Sequence, residues 1–133
     1  MGFGPVLDLA LLNLAFGGET FVPPTTVYVA LGGDASPSDT VFTELSGDTY
    51  ARAAVDNNTT TWQTADDTHP KQNLVDVLFP EAGAAWTQAK CFRVYNAATD
   101  GDMLGWGVLD TPMTAVLGSC LRFKPGDLVV ELD

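Results

Sequence analysis

Apolar and polar positions alternate most regularly in residues 89–111, which read as two strands joined by a turn. A period of two is typical of a pleated strand with one buried face. Between the two segments, residues 97–102 contain an Asp-Gly pair, which favours a turn because glycine adopts positive φ without a Cβ clash. The pattern therefore predicts a hairpin whose inner face is formed by Phe92, Val94, Leu104, Trp106 and Val108.

The opposite face of the second predicted strand carries two glycines, Gly105 and Gly107, beside Trp106. Glycine inside a strand often marks the close approach of another segment. Two interpretations of this shallow trough stay open: a segment of the same molecule fills it, or another subunit lies against it. For Trp106 itself the pattern predicts a buried position, with a loss of about 3–5 kcal/mol on truncation to alanine.

Residues 5–16 form the one segment with clear helical signals. Pro5 suits the first helical position, Asp8 lies in the first turn, and Gly17 and Gly18 end the helix. Apart from Asp8 and Asn13, the side chains of residues 6–16 are apolar. A helix packed on one face buries a stripe of about 100°, so apolar side chains nearly all round indicate burial on more than one side.

The apolar side chains of this helix fall on two sides, with Leu9, Leu12 and Phe16 opposed to the others. Either the helix plugs one end of its own sandwich, or neighbouring copies complete its burial. The second alternative, taken together with the glycine trough, predicts an interface formed by Leu7, Leu9, Leu11, Leu12, Leu14, Phe16, Gly105 and Gly107.

The remaining apolar runs are short and separated by turn residues. Lys124-Pro125-Gly126-Asp127 places proline and glycine at the positions that a type II turn favours. Strands at about 10-residue spacing without a second helix predict a single all-β domain over residues 1–133, a jelly-roll-like β-sandwich with one N-terminal helix. The further strands are expected at residues 26–31, 50–55, 73–79, 120–123 and 128–132, with a short one possible at Trp62.

The composition narrows the range of possible partners but says little about the fold. Acidic residues number 17 against 6 basic ones, giving a net charge of −11, which repels phosphate backbones and anionic lipid. Nucleic acid and membrane are therefore not expected as partners. The two cysteines, Cys91 and Cys120, form no CxxC pair and are interpreted as small buried residues. The N-terminus lacks a secretory signal, which predicts synthesis in the cytoplasm.

No constellation of residues predicts catalysis or a cofactor. The only histidine, His69, has no second histidine or nearby cysteine to complete a metal site. Asp100 and Asp102 resemble the start of a calcium loop, but the twelfth position is Thr111 instead of glutamate. No GxSxG elbow or phosphate-binding loop is present. Glu44 and Arg52 flank a turn and are expected to form a structural ion pair.

Six segments stand in order along nearly the whole chain: residues 11–18, 23–31, 43–55, 77–86, 92–119 and 123–133. Taken together, their order and spacing resemble a family of short bacteriophage virion proteins, described as tail-fibre-like or capsid-decoration (cement) proteins. Two segments depart from the family pattern: a Gly-Gly-Asp loop at residues 32–34 and a long polar insert at residues 56–72. Both lie in predicted loops, so they affect loop contacts and not the fold.

The resemblance implies an oligomeric β-sandwich, expected to be a homotrimer, that works on the virion and is not an enzyme. The first functional hypothesis is a capsid decoration protein on the outer surface of the major capsid protein shell. The second is a tail-fibre or baseplate component. A third, from a different class, is a carbohydrate-binding jelly roll in which Trp62 and nearby loops form a sugar platform.

Overall fold

The computed structural model describes residues 2–131 and is built mostly of antiparallel strands with one short helix. The all-β prediction is confirmed. The elements in chain order are β1 (Gly2–Phe3), α1 (Pro5–Ala15), β2 (Thr26–Gly32), β3 (Ala53–Asp56), β4 (Lys71–Gln72), β5 (Val77–Leu78), β6 (Ala89–Tyr95), β7 (Met103–Met113), β8 (Arg122–Phe123) and β9 (Val129–Val130).

One five-stranded antiparallel sheet, in the order β1-β7-β6-β2-β3, forms the main layer. Two two-stranded ladders, β4–β9 and β5–β8, supply a second layer. The core lies between them, because buried side chains of β2, β3 and β6 cluster with Val77 of β5 and Phe123 of β8. The Phe92 and Phe123 rings meet edge to face, with centroids 5.9 Å apart.

The hairpin of β6 and β7 forms as predicted, but the predicted face of β7 is wrong for Trp106 and Val108; Leu104 packs against the core as predicted. Phe92 pairs with Gly107 and Val94 with Gly105, while Trp106 pairs with Arg93. Directly opposed residues of paired strands share a face. The two glycines therefore lie on the core side with Phe92, and Trp106 lies on the outer side.

The physical reason is the volume of the Phe92 ring. A Cβ placed on Gly107 would lie 2.7 Å from Cε1 and Cζ of Phe92, so only glycine leaves room for that ring. Both Gly105 and Gly107 are buried. The space at Gly107 is thus filled by a side chain of the same molecule, whereas Gly105 lines an apolar cavity.

The outer side of the sheet is covered by the loop that follows β2. The Arg93 guanidinium donates hydrogen bonds to the carbonyl oxygens of Ser38 (2.8 Å) and Asp39 (2.9 Å), and lies over the Phe42 ring. The indole Nε1 of Trp106 donates to Asp39 Oδ1 at 2.8 Å. This cover makes Trp106 half-buried although it faces away from the core.

The second layer is held by one buried amide, the side chain of Asn73. Its Nδ2 donates to the carbonyl oxygens of Val75 and Lys124, both at 2.9 Å, and its Oδ1 accepts from the Leu128 N–H at 2.9 Å. Asn73 is fully buried. Because β4, β5, β8 and β9 have only two residues each, these side-chain bonds supply much of the connection between them.

Several sequence predictions for short elements are corrected. Of residues 73–79 only Val77–Leu78 is a strand, because Asn73 uses its polar groups to tie loops together. The strand predicted at 50–55 begins at Ala53, and β1 was not predicted. Cys91 is buried as expected, but Cys120 is exposed. The last predicted strand extends to residue 132, which lies outside the described residues; its described part is Val129–Val130.

The face assignment generates a stability prediction. Phe92→Ala should destabilise the protein by about 3–5 kcal/mol in chemical denaturation, because it empties the core space above Gly107 and beside Phe123. Val108→Ala, on the neighbouring strand and 54% exposed, is the control and should cost less than about 1 kcal/mol. Equal losses for the two variants would contradict the assigned faces.

Candidate interaction surface

Helix α1 is fixed at its N-terminus to β7. Residues Gly2 and Phe3 pair with Trp106 and Gly105, and the Gly4 N–H donates to the Leu104 carbonyl oxygen at 2.9 Å. A Cβ on Gly4 would collide with the backbone oxygen of Met103, so glycine permits this close approach. Pro5 then begins the helix at the position where a missing N–H costs nothing.

The side of α1 that faces the β-strands of the same chain is only partly buried. Leu7, Ala10 and Leu11 are half-buried, and no residue of the helix is buried. Leu7 lines an apolar cavity of about 200 Å³ together with Phe3, which lies next to the helix, and Trp62 of the second layer. A plug would require buried helix side chains, so the alternative in which α1 plugs its own sandwich is wrong.

The opposite side of α1 is apolar and exposed to solvent. Leu9, Leu12 and Phe16 are 61%, 56% and 80% exposed. With 3.6 residues per turn, Pro5, Leu9 and Leu12 fall within about 60° of one another on the helix surface, and Phe16 follows at the C-cap, where the backbone is extended. We call Pro5, Leu9, Leu12 and Phe16 the outer stripe. The sequence-based division of the helix into two sides is confirmed for Leu9, Leu12 and Phe16.

The remaining predicted interface residues lie elsewhere. Leu14 is 45% exposed near the end of the helix, on the side of Leu7. Gly105 and Gly107 are buried within the hairpin. Val22, in the linker after the helix, is also exposed, at 79%. Its exposure was not predicted, because a single apolar residue outside any periodic segment does not show which way its side chain points.

The predicted pair of Glu44 and Arg52 forms, within a structural network. Arg52 Nη2 lies 2.9 Å from Glu44 Oε1, and the Tyr50 hydroxyl donates to Glu44 Oε2 at 2.9 Å. Arg52 Nη1 also donates to the carbonyl oxygens of Ala97 and Asp100 in the β6–β7 turn. Because every one of these groups is hydrogen-bonded within the chain, the network ties the loops together.

His69 lies in an exposed loop beside Asp66. The ring Nδ1 is 2.9 Å from Asp66 Oδ1, and the Thr68 N–H donates to the same oxygen at 2.8 Å. Hydrogen bonds from Thr68 and His69 hold the pKa of the Asp66 carboxyl below its usual range. Within residues 2–131 no group of three or more histidine, cysteine or acidic side chains is arranged to hold a metal ion.

Trp62 does not form the predicted sugar platform. Its side chain is 6% exposed and belongs to the core, so its ring face is not presented to a ligand at the surface. A stacking platform requires an accessible aromatic face, and this finding removes the only residue on which the carbohydrate-binding hypothesis was based. Among the described residues, no helix combines the length and the apolar character that crossing a membrane requires.

Fold and surface together define an all-β protein that carries an incompletely covered apolar helix on its outside. Comparison with known families matches residues 2–131 to the family of the podophage GP4 fiber I protein gp80. The chain belongs to this family of bacteriophage fibre proteins. A search of curated proteins found no match. The resemblance to phage virion proteins is confirmed at this level, whereas the capsid-decoration assignment is not.

The Tyr50 network predicts a specific dependence of stability on pH. Burial raises the pKa of the Tyr50 hydroxyl, so the folded protein keeps a proton that the unfolded chain releases above about pH 10. The stabilisation by neutral Tyr50 is therefore complete below about pH 10 and is lost at higher pH, by up to about 1.4 kcal/mol per pH unit.

Tyr50→Phe provides the comparison, because phenylalanine keeps the ring and has no proton to release. The difference in free energy of unfolding between wild type and Tyr50→Phe should shrink from pH 8 to pH 11, measured by chemical denaturation. A difference that stays constant over this range would show that the Tyr50 hydroxyl titrates alike in the folded and unfolded chains.

Proposed function

We propose that this protein is a non-enzymatic structural subunit of a bacteriophage fibre, joined to neighbouring virion proteins through α1. The family match supports the fibre, since it covers residues 2–131 and is named for a fibre protein. No observation favours a position on the capsid shell over one on the tail, so the capsid-decoration hypothesis is not pursued further.

The outer stripe is the observation that carries this proposal. Three large apolar side chains at 56% to 80% exposure, two on consecutive turns of α1 and one at its C-cap, form an apolar patch, and such patches mark protein–protein contact sites. Covering a leucine side chain fully is worth about 1.5–3 kcal/mol relative to leaving it in water. Contact with another protein would recover part of this free energy for Leu9, Leu12 and Phe16 together.

Charge favours protein as the partner. A net charge of −11 opposes binding to nucleic acid or to anionic lipid. The helix carries a single charged residue, Asp8. The helix surface would therefore repel another acidic protein only weakly. The homotrimer implied by the resemblance would place three copies of α1 in equivalent positions about one axis.

The location of the protein on the phage particle tests the proposal. Gold-labelled antibody against the purified protein should mark the tail or fibre region of intact virions in electron micrographs. Quantitative mass spectrometry of the same virions should find the chain in far fewer copies than the major capsid protein, because a fibre component is present at one vertex. An antibody against the major capsid protein is the control for access to the shell.

Labelling spread over the whole shell, with a copy number close to that of the major capsid protein, would support decoration and contradict the fibre proposal. Absence of the chain from purified virions would contradict both.

A further inference from the structure

We propose that the apolar cavity bordered by Leu7 and Trp62 is a binding site for a small organic anion, with an apolar body the size of a benzene ring and one carboxylate. The cavity takes the apolar body, and the ammonium group of Lys71 takes the carboxylate. This inference goes beyond the proposed fibre function and does not rest on it, because it concerns a ligand of the single chain and not a neighbouring protein.

The cavity exists because one of the two glycines on the core side of β7 has no large side chain opposite it. Gly107 is paired with Phe92, whose ring fills the space that a side chain at 107 would take. Gly105 is paired with Val94, and both line the cavity. Valine lacks the reach of a phenylalanine ring, so a volume of about 200 Å³ stays unfilled. Protein interiors are normally close-packed, with few voids larger than a water molecule.

The size and the lining of the cavity define the apolar part of the ligand. Buried core residues form its floor, among them Val27, Trp62 and Val94, and half-buried residues such as Leu7 and Phe21 form its rim. An engineered apolar cavity of about 150 Å³ in another protein holds benzene. A volume of about 200 Å³ therefore accommodates one phenyl ring with a short chain. Because the rim is partly exposed, the ligand enters from solvent without opening the core.

Charge at the rim defines the polar part of the ligand. Although the chain has 17 acidic residues against 6 basic ones, none of the described lining residues is acidic, and one of them is Lys71. Lys71 is half-buried in β4, paired with the lining residue Val130 of β9. Among the described residues its ammonium group has no carboxylate partner, whereas Arg52 and Arg122 each have one. A cation beside an apolar cavity favours an anionic ligand.

One wall of the cavity is held in place before any ligand arrives. Asn57 Nδ2 donates to the Pro24 carbonyl oxygen at 2.8 Å, and the Asn57 N–H donates to the Thr25 carbonyl oxygen at 2.9 Å. These bonds fix the segment after α1 to the end of β3. Pro23 and Pro24 line the cavity, and their rings fix the backbone φ of this wall. A preformed site loses little conformational freedom on binding, which favours affinity for a small ligand.

The first test compares three probes that share a phenyl ring and a short chain and differ in the head group: hydrocinnamate, hydrocinnamyl alcohol and phenylpropylamine. Each is titrated at neutral pH into the full, isotope-labelled chain and followed by heteronuclear NMR. The anion should bind with a dissociation constant of about 0.1–1 mM, within the affinity per heavy atom that small ligands reach. The alcohol should bind several-fold more weakly, and the amine most weakly of the three.

The amide signals that move during the titration locate the site. Those of Lys71, Gly105 and Val130, which line the cavity, should shift. Those of Thr111 and Asp127, which line a second and more polar cavity, should not. Shifts confined to the second cavity, or equal shifts at both, would contradict the assigned site. Absence of binding by the anion at concentrations up to about 10 mM would overturn the inference altogether.

The second test separates recognition of the head group from filling of the cavity. Lys71→Met keeps the length of the side chain and removes its charge, so it should weaken binding of hydrocinnamate about threefold or more and leave the alcohol unchanged. Lys124→Met removes the same charge from an exposed turn outside the cavity and is the matched control, expected to bind all three probes like wild type. Equal binding of the anion by wild type and Lys71→Met would contradict the role of Lys71.

The third test blocks the cavity. Leu7→Trp enlarges a half-buried side chain that lines it and should weaken binding of all three probes about tenfold or more. Leu9→Trp makes the same change on the exposed side of α1 and should bind like wild type. Far-ultraviolet circular dichroism confirms that each variant keeps the fold. Undiminished binding by Leu7→Trp, or equal weakening by both variants, would overturn the inference.

Discussion

The buried side chain of Asn73 is the interaction on which the second layer of this protein depends. Four two-residue strands cannot form a stable sheet by themselves, since two-stranded ladders are at best marginally stable in water. Asn73 connects them by bonding to Val75, Lys124 and Leu128 from a position without solvent access. A buried amide with both its donors and its acceptor satisfied specifies one arrangement of these loops.

With that layer in place, the core is closed without the helix. Phe92 and Phe123 fill the centre between the layers, and the glycine at 107 makes the necessary room. The helix is left to pack along β7 by one side only. Its exposed apolar stripe is therefore a consequence of how the core is closed. This stripe is the feature that distinguishes the chain from a β-sandwich that functions as a monomer.

The sequence was sufficient for the features that depend on periodicity. The helix, the hairpin and β2 follow directly from regular apolar spacing, and the two-sided character of α1 follows from the positions of its leucines. The face of β7 did not follow, because Trp106 is as apolar as a core residue. Two groups place Trp106 on the outer side: Asp39, which accepts a hydrogen bond from its indole, and the Phe92 ring, which requires glycine opposite it on the core side. Both groups are distant from Trp106 in sequence.

Two short strands, β1 and β4, escaped prediction for a related reason: each has two residues, too few to show a period, and β1 exists only because Gly4 allows its approach to β7. The exposed side of α1 could be predicted, since helical spacing alone places Leu9, Leu12 and Phe16 on one side. The two glycines assigned to the same surface were misplaced along with the face of β7.

The most direct measurement is a cryo-electron microscopy map of the virion that resolves side chains in the fibre. If α1 is the contact with neighbouring virion proteins, Leu9, Leu12 and Phe16 of each copy will be covered there by a neighbouring protein. A fibre in which these three side chains face solvent would contradict it.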